Sequence, residues 1–283
     1  MVKFGTAGNP ECFYDEGGKS SLEMPKWLAN IGLDAYEYQC GRGVRISDEA
    51  ARKLAKNAEK HGITLSVHSP YYINISSVES LKIDNSVNYI LQTANAALNM
   101  GAKRIVVHMG SAKDITRRRA MEISKSTINI ILKELDSSGF GNITICLETM
   151  GKTNQMGTIE EVMELCGADE RLLPAVDFGH INARMQGALK TEDDFDAIIK
   201  YMEKKMGRER TTHFHAHFSK IAYTKSGEKK HVTFENTEYG PEFLPLAKVL
   251  AKRNLSPVII CESAGTQSID ALKMKKIYEE CLF

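Results

Sequence analysis

A chain of 283 residues with 42% hydrophobic and 26% charged residues has the balance of a folded protein with a substantial core, which excludes a disordered or low-complexity polypeptide. Its 37 Lys and Arg nearly cancel its 36 Asp and Glu, so a formal net charge of +1 neither demands nor excludes nucleic acid, and any DNA contact has to be local. No stretch approaches the roughly 20 apolar residues that span a bilayer, the start Met1-Val2-Lys3-Phe4-Gly5-Thr6 carries no leader character, and six scattered cysteines without a C-x-x-C pair predict reduced thiols in a cytoplasmic protein.

Short apolar, β-rich runs recur eight times along the chain. They cover Lys3 to Gly8, Ala35 to Gln39, Leu65 to Pro70, Arg104 to Gly110, Ile143 to Met150, Leu173 to Gly179, Thr212 to Ser219 and Pro257 to Ser263. Helical spacing fills the intervals. The clearest case places Ile83, Val87, Ile90, Leu91, Ala94 and Leu98 on one face, as a helix packed outside a sheet requires. Ser47 before Asp48 and Glu49 reads as a helix start, Thr158 to Glu161 has capping-box spacing, and Gly62, Gly101 and Gly207 sit where helices should stop. Arg117-Arg118-Arg119 reads as the solvated start of a helix, and the polar stretch Tyr223 to Tyr239 as a long insertion serving an active site. Alternating strands and helices imply a parallel sheet, and eight units favour a single (β/α)8 TIM barrel over residues 1–283. The runner-up, an open doubly wound sheet, lacks the G-x-G-x-x-G turn that would support it.

The chemistry gathers at the ends of the predicted strands. His68, His108, Glu148, Asp177, His215 and Glu262 come from six consecutive strands, and in a barrel such side chains converge on one mouth. Carboxylates brought together there repel one another unless a cation neutralises them. Mixed imidazole and carboxylate ligands favour Zn2+, Mn2+ or Fe2+ over calcium or magnesium. His61 belongs elsewhere, at a helix C-terminus before Gly62, where a cation suits the dipole.

The local strings carry more. Val67-His68-Ser69-Pro70-Tyr71-Tyr72-Ile73-Asn74, Val107-His108-Met109-Gly110-Ser111, Cys146-Leu147-Glu148-Thr149, Asp177-Phe178-Gly179-His180, His215-Ala216-His217-Phe218-Ser219-Lys220 and Cys261-Glu262-Ser263, in this order and spacing, resemble the endonuclease IV family. That family consists of metal-dependent barrel hydrolases that incise DNA at abasic sites in base excision repair. The resemblance implies three metals, usually zinc. One would take His68, His108 and Glu148; a second Glu148, Asp177, His215 and Glu262; a third His180 together with a D-x-H motif. It further implies hydrolysis of the phosphodiester 5′ to the lesion, with Glu148 and Glu262 as candidates to take the proton of the attacking water. Arg42 and Tyr71 fall where the family grips DNA. A monomer is the expected state.

The sequence departs from the family in the loop after the seventh strand, where D-x-H is replaced by Lys229-Lys230-His231. A protonated ammonium cannot ligate a metal, so two metals are expected with a third in question. Either His217 substitutes as a ligand or Lys229 supplies the missing positive charge. Two rival readings accompany the nuclease. Glu148, Asp177, His215 and Glu262 also resemble the single-metal tetrad of sugar isomerases and epimerases of the xylose-isomerase-like superfamily, which leaves His68 and His108 unexplained. A non-catalytic barrel would bind damaged DNA or a phosphosugar without turnover.

Overall fold

A computed structural model describes residues 1–283. Ten strands form in chain order: β1 (Lys3–Ala7), β2 (Ala35–Gln39), β3 (Thr64–His68), β4 (Arg104–Val107), β5 (Thr144–Glu148), β6 (Leu172–Asp177), β7 (His215–Phe218), β8 (Lys220–Thr224), β9 (Gly227–Val232) and β10 (Val258–Cys261). Eight of them close a parallel barrel in the order β1-β10-β7-β6-β5-β4-β3-β2, and β8 pairs antiparallel with β9 outside it. Each of the eight expected runs coincides with one barrel strand, β3 and β6 beginning one residue earlier than expected. β10 is the eighth barrel strand because the insertion after β7 folds as its own hairpin.

Helices coat the barrel. The helix that follows β3, Ser80–Met100, buries Ile90, Ala94 and Ala97 against the sheet and stops at Gly101, a left-handed residue with φ of 69°. Leu98, expected on the buried face, is exposed, because the stripe turns toward Ala97 in the last turn. Ser47 accepts from the Ala50 amide at the head of Asp48–His61, which ends at left-handed Gly62. Thr158 and Glu161 form a reciprocal capping box. Gly207 stops a helix as expected: its φ of 81° is non-helical, and within Glu192–Thr212 one helix ends there and a second, short one continues beyond the kink. Arg118 and Arg119 are solvated as expected, but Arg117 is engaged with Glu161 through two nitrogen–oxygen contacts.

A core of buried aliphatic and aromatic side chains fills the space between strands and helices. The barrel interior differs. Glu37 of β2 meets His215 of β7, and because β2 and β7 are not neighbours in the barrel this contact crosses its lumen. Barrel interiors are ordinarily filled by Val, Ile and Leu. A buried acid and imidazole at that depth therefore call for a reason, which the site above them supplies. No helix is long and apolar enough to cross a membrane.

The rim is built by two segments that touch. Lys152 bridges to Gly227, joining the loop after β5 to the β8–β9 hairpin. Gly227 has φ of 88°, and a Cβ there would lie 2.1 Å from the Gly151 carbonyl oxygen, so glycine is what permits the approach. Arg184 and Arg117 fix the same loop by donating to the carbonyls of Thr153 and Gln155.

Candidate metal centre

Strand alternation places every second residue inside the barrel, and the last inward residue of each strand stands at the C-terminal mouth. His68 closes β3, Glu148 closes β5 and Asp177 closes β6; His108 follows β4 by one residue and Glu262 follows β10 by one. In β7 the residue at this level is His217, paired with Asp177 in β6 and Ile260 in β10. The ligand atoms of His68, His108 and Glu148 lie within 4.8 Å of one another, and so do those of Glu148, Asp177, His217 and Glu262. Glu148 joins the two groups by dividing its oxygens. Its Oε2 faces His108 Nε2 at 2.8 Å and His68 Nε2 at 3.3 Å, while its Oε1 faces His217 Nδ1 at 3.1 Å.

His215 does not join them, which corrects the expected ligand set. β7 begins at His215 rather than ending there, so the imidazole sits one inward step, two residues, below the mouth and bonds Glu37 Oε2 at 2.9 Å. It lines a cavity of about 750 Å³ at the opposite, N-terminal end of the barrel, beside Lys3, Arg104 and His213. His217 accordingly belongs with Asp177 and Glu262 and does not substitute in a third group.

The third group is also corrected, because it contains a carboxylate. His180, Glu228 and His231 bring ligand atoms within 4.8 Å, with His180 Nε2 3.3 Å from Glu228 Oε2. Glu228 and His231 are three apart and would point to opposite faces of a regular strand. A bulge intervenes: Ala222 pairs with Lys230 and Tyr223 with Glu228, so Lys229 has no partner and the parity of β9 shifts. Lys229 and Lys230 are consequently exposed, and it is Glu228 that joins His180 and His231. Replacing Glu228 with alanine is expected to lower the number of tightly held divalent ions by one per chain, whereas Lys229→Ala leaves it unchanged; elemental analysis after gel filtration reads both.

Three of the histidines are tethered by their second nitrogen, an arrangement that fixes ring orientation and leaves the other nitrogen free. His68 Nδ1 lies 2.9 Å from the Ser69 carbonyl, His180 Nδ1 3.0 Å from the Thr149 carbonyl, and His231 Nδ1 2.7 Å from the Ser219 hydroxyl. Asp177 Oδ1 accepts the His180 amide at the head of the short helix Phe178–Arg184. Asp177 Oδ2 is buried without a hydrogen-bond partner, since the nearby His180 nitrogen is engaged with Thr149. An orphaned carboxylate oxygen beside three further nitrogen and oxygen donors fits a divalent cation.

The electrostatics agree. Burial works against ionisation of Glu148, but His108 and His217 hold it well below the ordinary carboxylate range. Burial, with Glu148 and Asp177 close by, pushes Glu262 up against the opposing pull of His217. Although burial disfavours their charged forms, Glu148 raises His68 to about 9, and Asp177 with Glu148 raises His180 to about 9. Protons thus take the place a cation would hold.

The charged forms of His68 and His180 stabilise the metal-free protein fully below their ordinary value of 6.5, and this contribution is lost as pH rises through about 9. Over the same window zinc affinity rises, because fewer protons have to leave. Calorimetry at pH 7.5 in two buffers of different ionisation enthalpy should show net proton release, while the metal-free melting temperature falls between pH 6.5 and 9.

The mouth opens into a cavity of about 400 Å³ that members of all three groups line, Asp177 and His217 lying below it, together with Gln39, Tyr71, Met150, Lys152 and Gln155. Arg42, on the loop after β2, donates from Nε to the Tyr71 hydroxyl at 3.0 Å, so the two residues expected to grip a substrate touch each other at the rim.

Known proteins share this architecture. The profile of the family described as xylose isomerase-like TIM barrel matches residues 25–280. An uncharacterised protein of Methanocaldococcus jannaschii is 34% identical over 284 residues, spanning 99% of this chain and 98% of its own length. A probable endonuclease 4 of Staphylococcus aureus is 28% identical over 225 residues, 72% of this chain and 73% of that one. Among solved structures, a D-tagatose 3-epimerase-like protein superposes with a TM-score of 0.74 at 19% identity, covering 99% of this chain and 98% of that one. Endonuclease IV from Thermus thermophilus does so with a TM-score of 0.70 at 18% identity, covering 98% and 99%. At these identities the likeness speaks for the fold.

Proposed function

Because the chain belongs to the xylose isomerase-like TIM barrel family, we propose that it is a metal-dependent phosphodiester hydrolase that cuts DNA on the 5′ side of abasic sites, in the manner of endonuclease IV. The observation that carries the reading is the presence of three donor groups at one mouth: His68, His108 and Glu148; Glu148, Asp177, His217 and Glu262; and His180, Glu228 and His231. A single-metal tetrad needs only the second. The relatives named as endonuclease 4 support the same reading from sequence.

Zinc is the preferred occupant, with manganese or iron as alternatives, since nitrogen and oxygen donors are mixed. When bound, such ions lower the pKa of a coordinated water toward neutrality and offset charge on phosphoryl oxygens. The chain's own residues do the rest. Glu148, held as a carboxylate, bridges two groups and fixes their separation. Glu262, pushed up and facing the mouth cavity, is the better placed of the two glutamates to take a proton from an attacking water. Arg42 and Tyr71, hydrogen-bonded to each other at the rim, are the side chains to which this reading assigns phosphate and an opened base step.

One observation favours a second reading. The tetrad containing His217, with a carboxyl displaced upward, also suits proton exchange on the carbon of a hydroxy-ketone, and the solved neighbours include sugar epimerases. The two part in one experiment. A duplex carrying a single abasic-site analogue, incubated with zinc- or manganese-loaded protein, is expected to be cut 5′ to the lesion. An intact duplex with zinc, manganese and cobalt, beside epimerisation of a ketohexose, would overturn the nuclease.

A further inference from the structure

We propose that Glu37 is the positioning residue of the metal centre: a carboxylate inside the barrel that holds the His217 ring from behind, so that Nδ1 rather than Nε2 is presented to the ion. This rests on the metal-binding reading above and extends it to a residue that touches no ligand atom of the mouth groups other than through His217.

Glu37 lies in the middle of β2, on the same strand face as Gln39, and is fully buried. A carboxylate at that depth carries a large desolvation cost unless its oxygens are satisfied. They are satisfied from several sides: Ser66 donates to Oε2 at 2.8 Å, His215 Nε2 sits 2.9 Å from Oε2, and Gln39 donates to Oε1 at 3.2 Å. These contacts hold Oε1 3.0 Å from His217 Nε2, a buried nitrogen that hydrogen-bonds no other group and faces this carboxylate as a close charge contact. The opposite nitrogen, Nδ1, faces Glu148 and Glu262 at 3.1 and 3.6 Å.

Three other histidines of the mouth, His68, His180 and His231, are tethered to carbonyl or hydroxyl oxygens. His217 is instead backed by a carboxylate, and it is the histidine of the tetrad. A carboxylate behind a ligating imidazole sets its tautomer, aims the ring and raises its basicity, and loss of such a partner typically weakens metal affinity by about 10- to 100-fold. His215, two residues before His217, is thereby explained: although its donor atom also lies within 4.8 Å of those of Glu37 and His217, its role is to anchor Glu37.

The test uses cobalt as the probe, because its visible spectrum reports ligand geometry. Full-length wild-type, Glu37→Gln and Ser66→Ala proteins are stripped with chelator and titrated with Co2+ by calorimetry and visible absorption. Glu37→Gln is expected to weaken one of the bound ions by about 10- to 100-fold and to alter its absorption band, leaving the remaining ions at wild-type affinity. Ser66→Ala, which loosens the carboxylate without removing it, should weaken the same ion by a smaller factor; it keeps the proposal testable should the Gln variant fail to fold. A merely structural role would lower the metal-free melting temperature and leave the affinities equal, and that result overturns the proposal. So would an anomalous-scattering peak lying directly on Glu37 and His215, which would make them ligands. A wild type that takes up no cobalt overturns the metal reading itself, whereas a wild type that loads normally beside unchanged variants overturns this inference alone.

Discussion

Replacing Glu148 with glutamine is expected to abolish both metal retention and phosphodiester cleavage. Its two oxygens are shared between the His68–His108 group and the His217 group, so one substitution damages both. The amide of glutamine turns one of these acceptors into a donor and cannot bridge two cations. The loss compounds, because His68 and His217, both raised with the help of Glu148, then face one another without the carboxylate that balances their charge. Metal ions contribute several kcal/mol to stabilisation of developing phosphoryl charge; about 5.5 kcal/mol corresponds to roughly ten-thousandfold in rate. Single-turnover cleavage of an abasic-site duplex, with metal content measured on the same sample, checks the expectation. Wild-type rates with a full metal complement would remove Glu148 from the site.

The second large effect separates chemistry from binding. Glu262→Gln preserves size and one carbonyl donor but removes the group proposed to accept the proton of the attacking water. Turnover is expected to fall by about 10²- to 10⁴-fold, the usual weight of general acid–base catalysis, with the KM for duplex DNA little changed. Glu262 stands at the edge of its group, 3.6 Å from His217 Nδ1 and partly open to the mouth cavity, so its loss leaves most of the metal in place. A parallel fall in metal content and rate would reduce Glu262 to a ligand, and no fall in either would assign the proton to another group.

Much of this architecture is legible in the amino-acid order. Eight β-rich runs separated by helical spacing suffice for the barrel, since most of the runs are buried on both faces, as the strands of a parallel sheet covered by helices are. His68, Glu148 and Asp177 are readable as mouth residues because each closes its strand. The difficulties arise where local pattern is degenerate. His215 and His217 lie on the same face of β7, and nothing in an alternation of period two says which stands at the top; only the register with Asp177 and Ile260 decides. Glu228 is hidden by a bulge, because counting along an ideal strand puts it on the wrong side of His231. Glu37 is overlooked for a different reason. It lies in mid-strand between Tyr36 and Tyr38, away from the strand ends where ligands are sought, although an acid on the inward face of a barrel strand is itself a signal.

The measurement closest to the central claim is anomalous diffraction at the zinc edge from crystals of the zinc-loaded protein. Three peaks are expected at the C-terminal mouth, one among His68, His108 and Glu148, one among Glu148, Asp177, His217 and Glu262, and one among His180, Glu228 and His231. A mouth without any peak, or a lone peak in the tetrad with His68, His108, His180, Glu228 and His231 uninvolved, would contradict the claim.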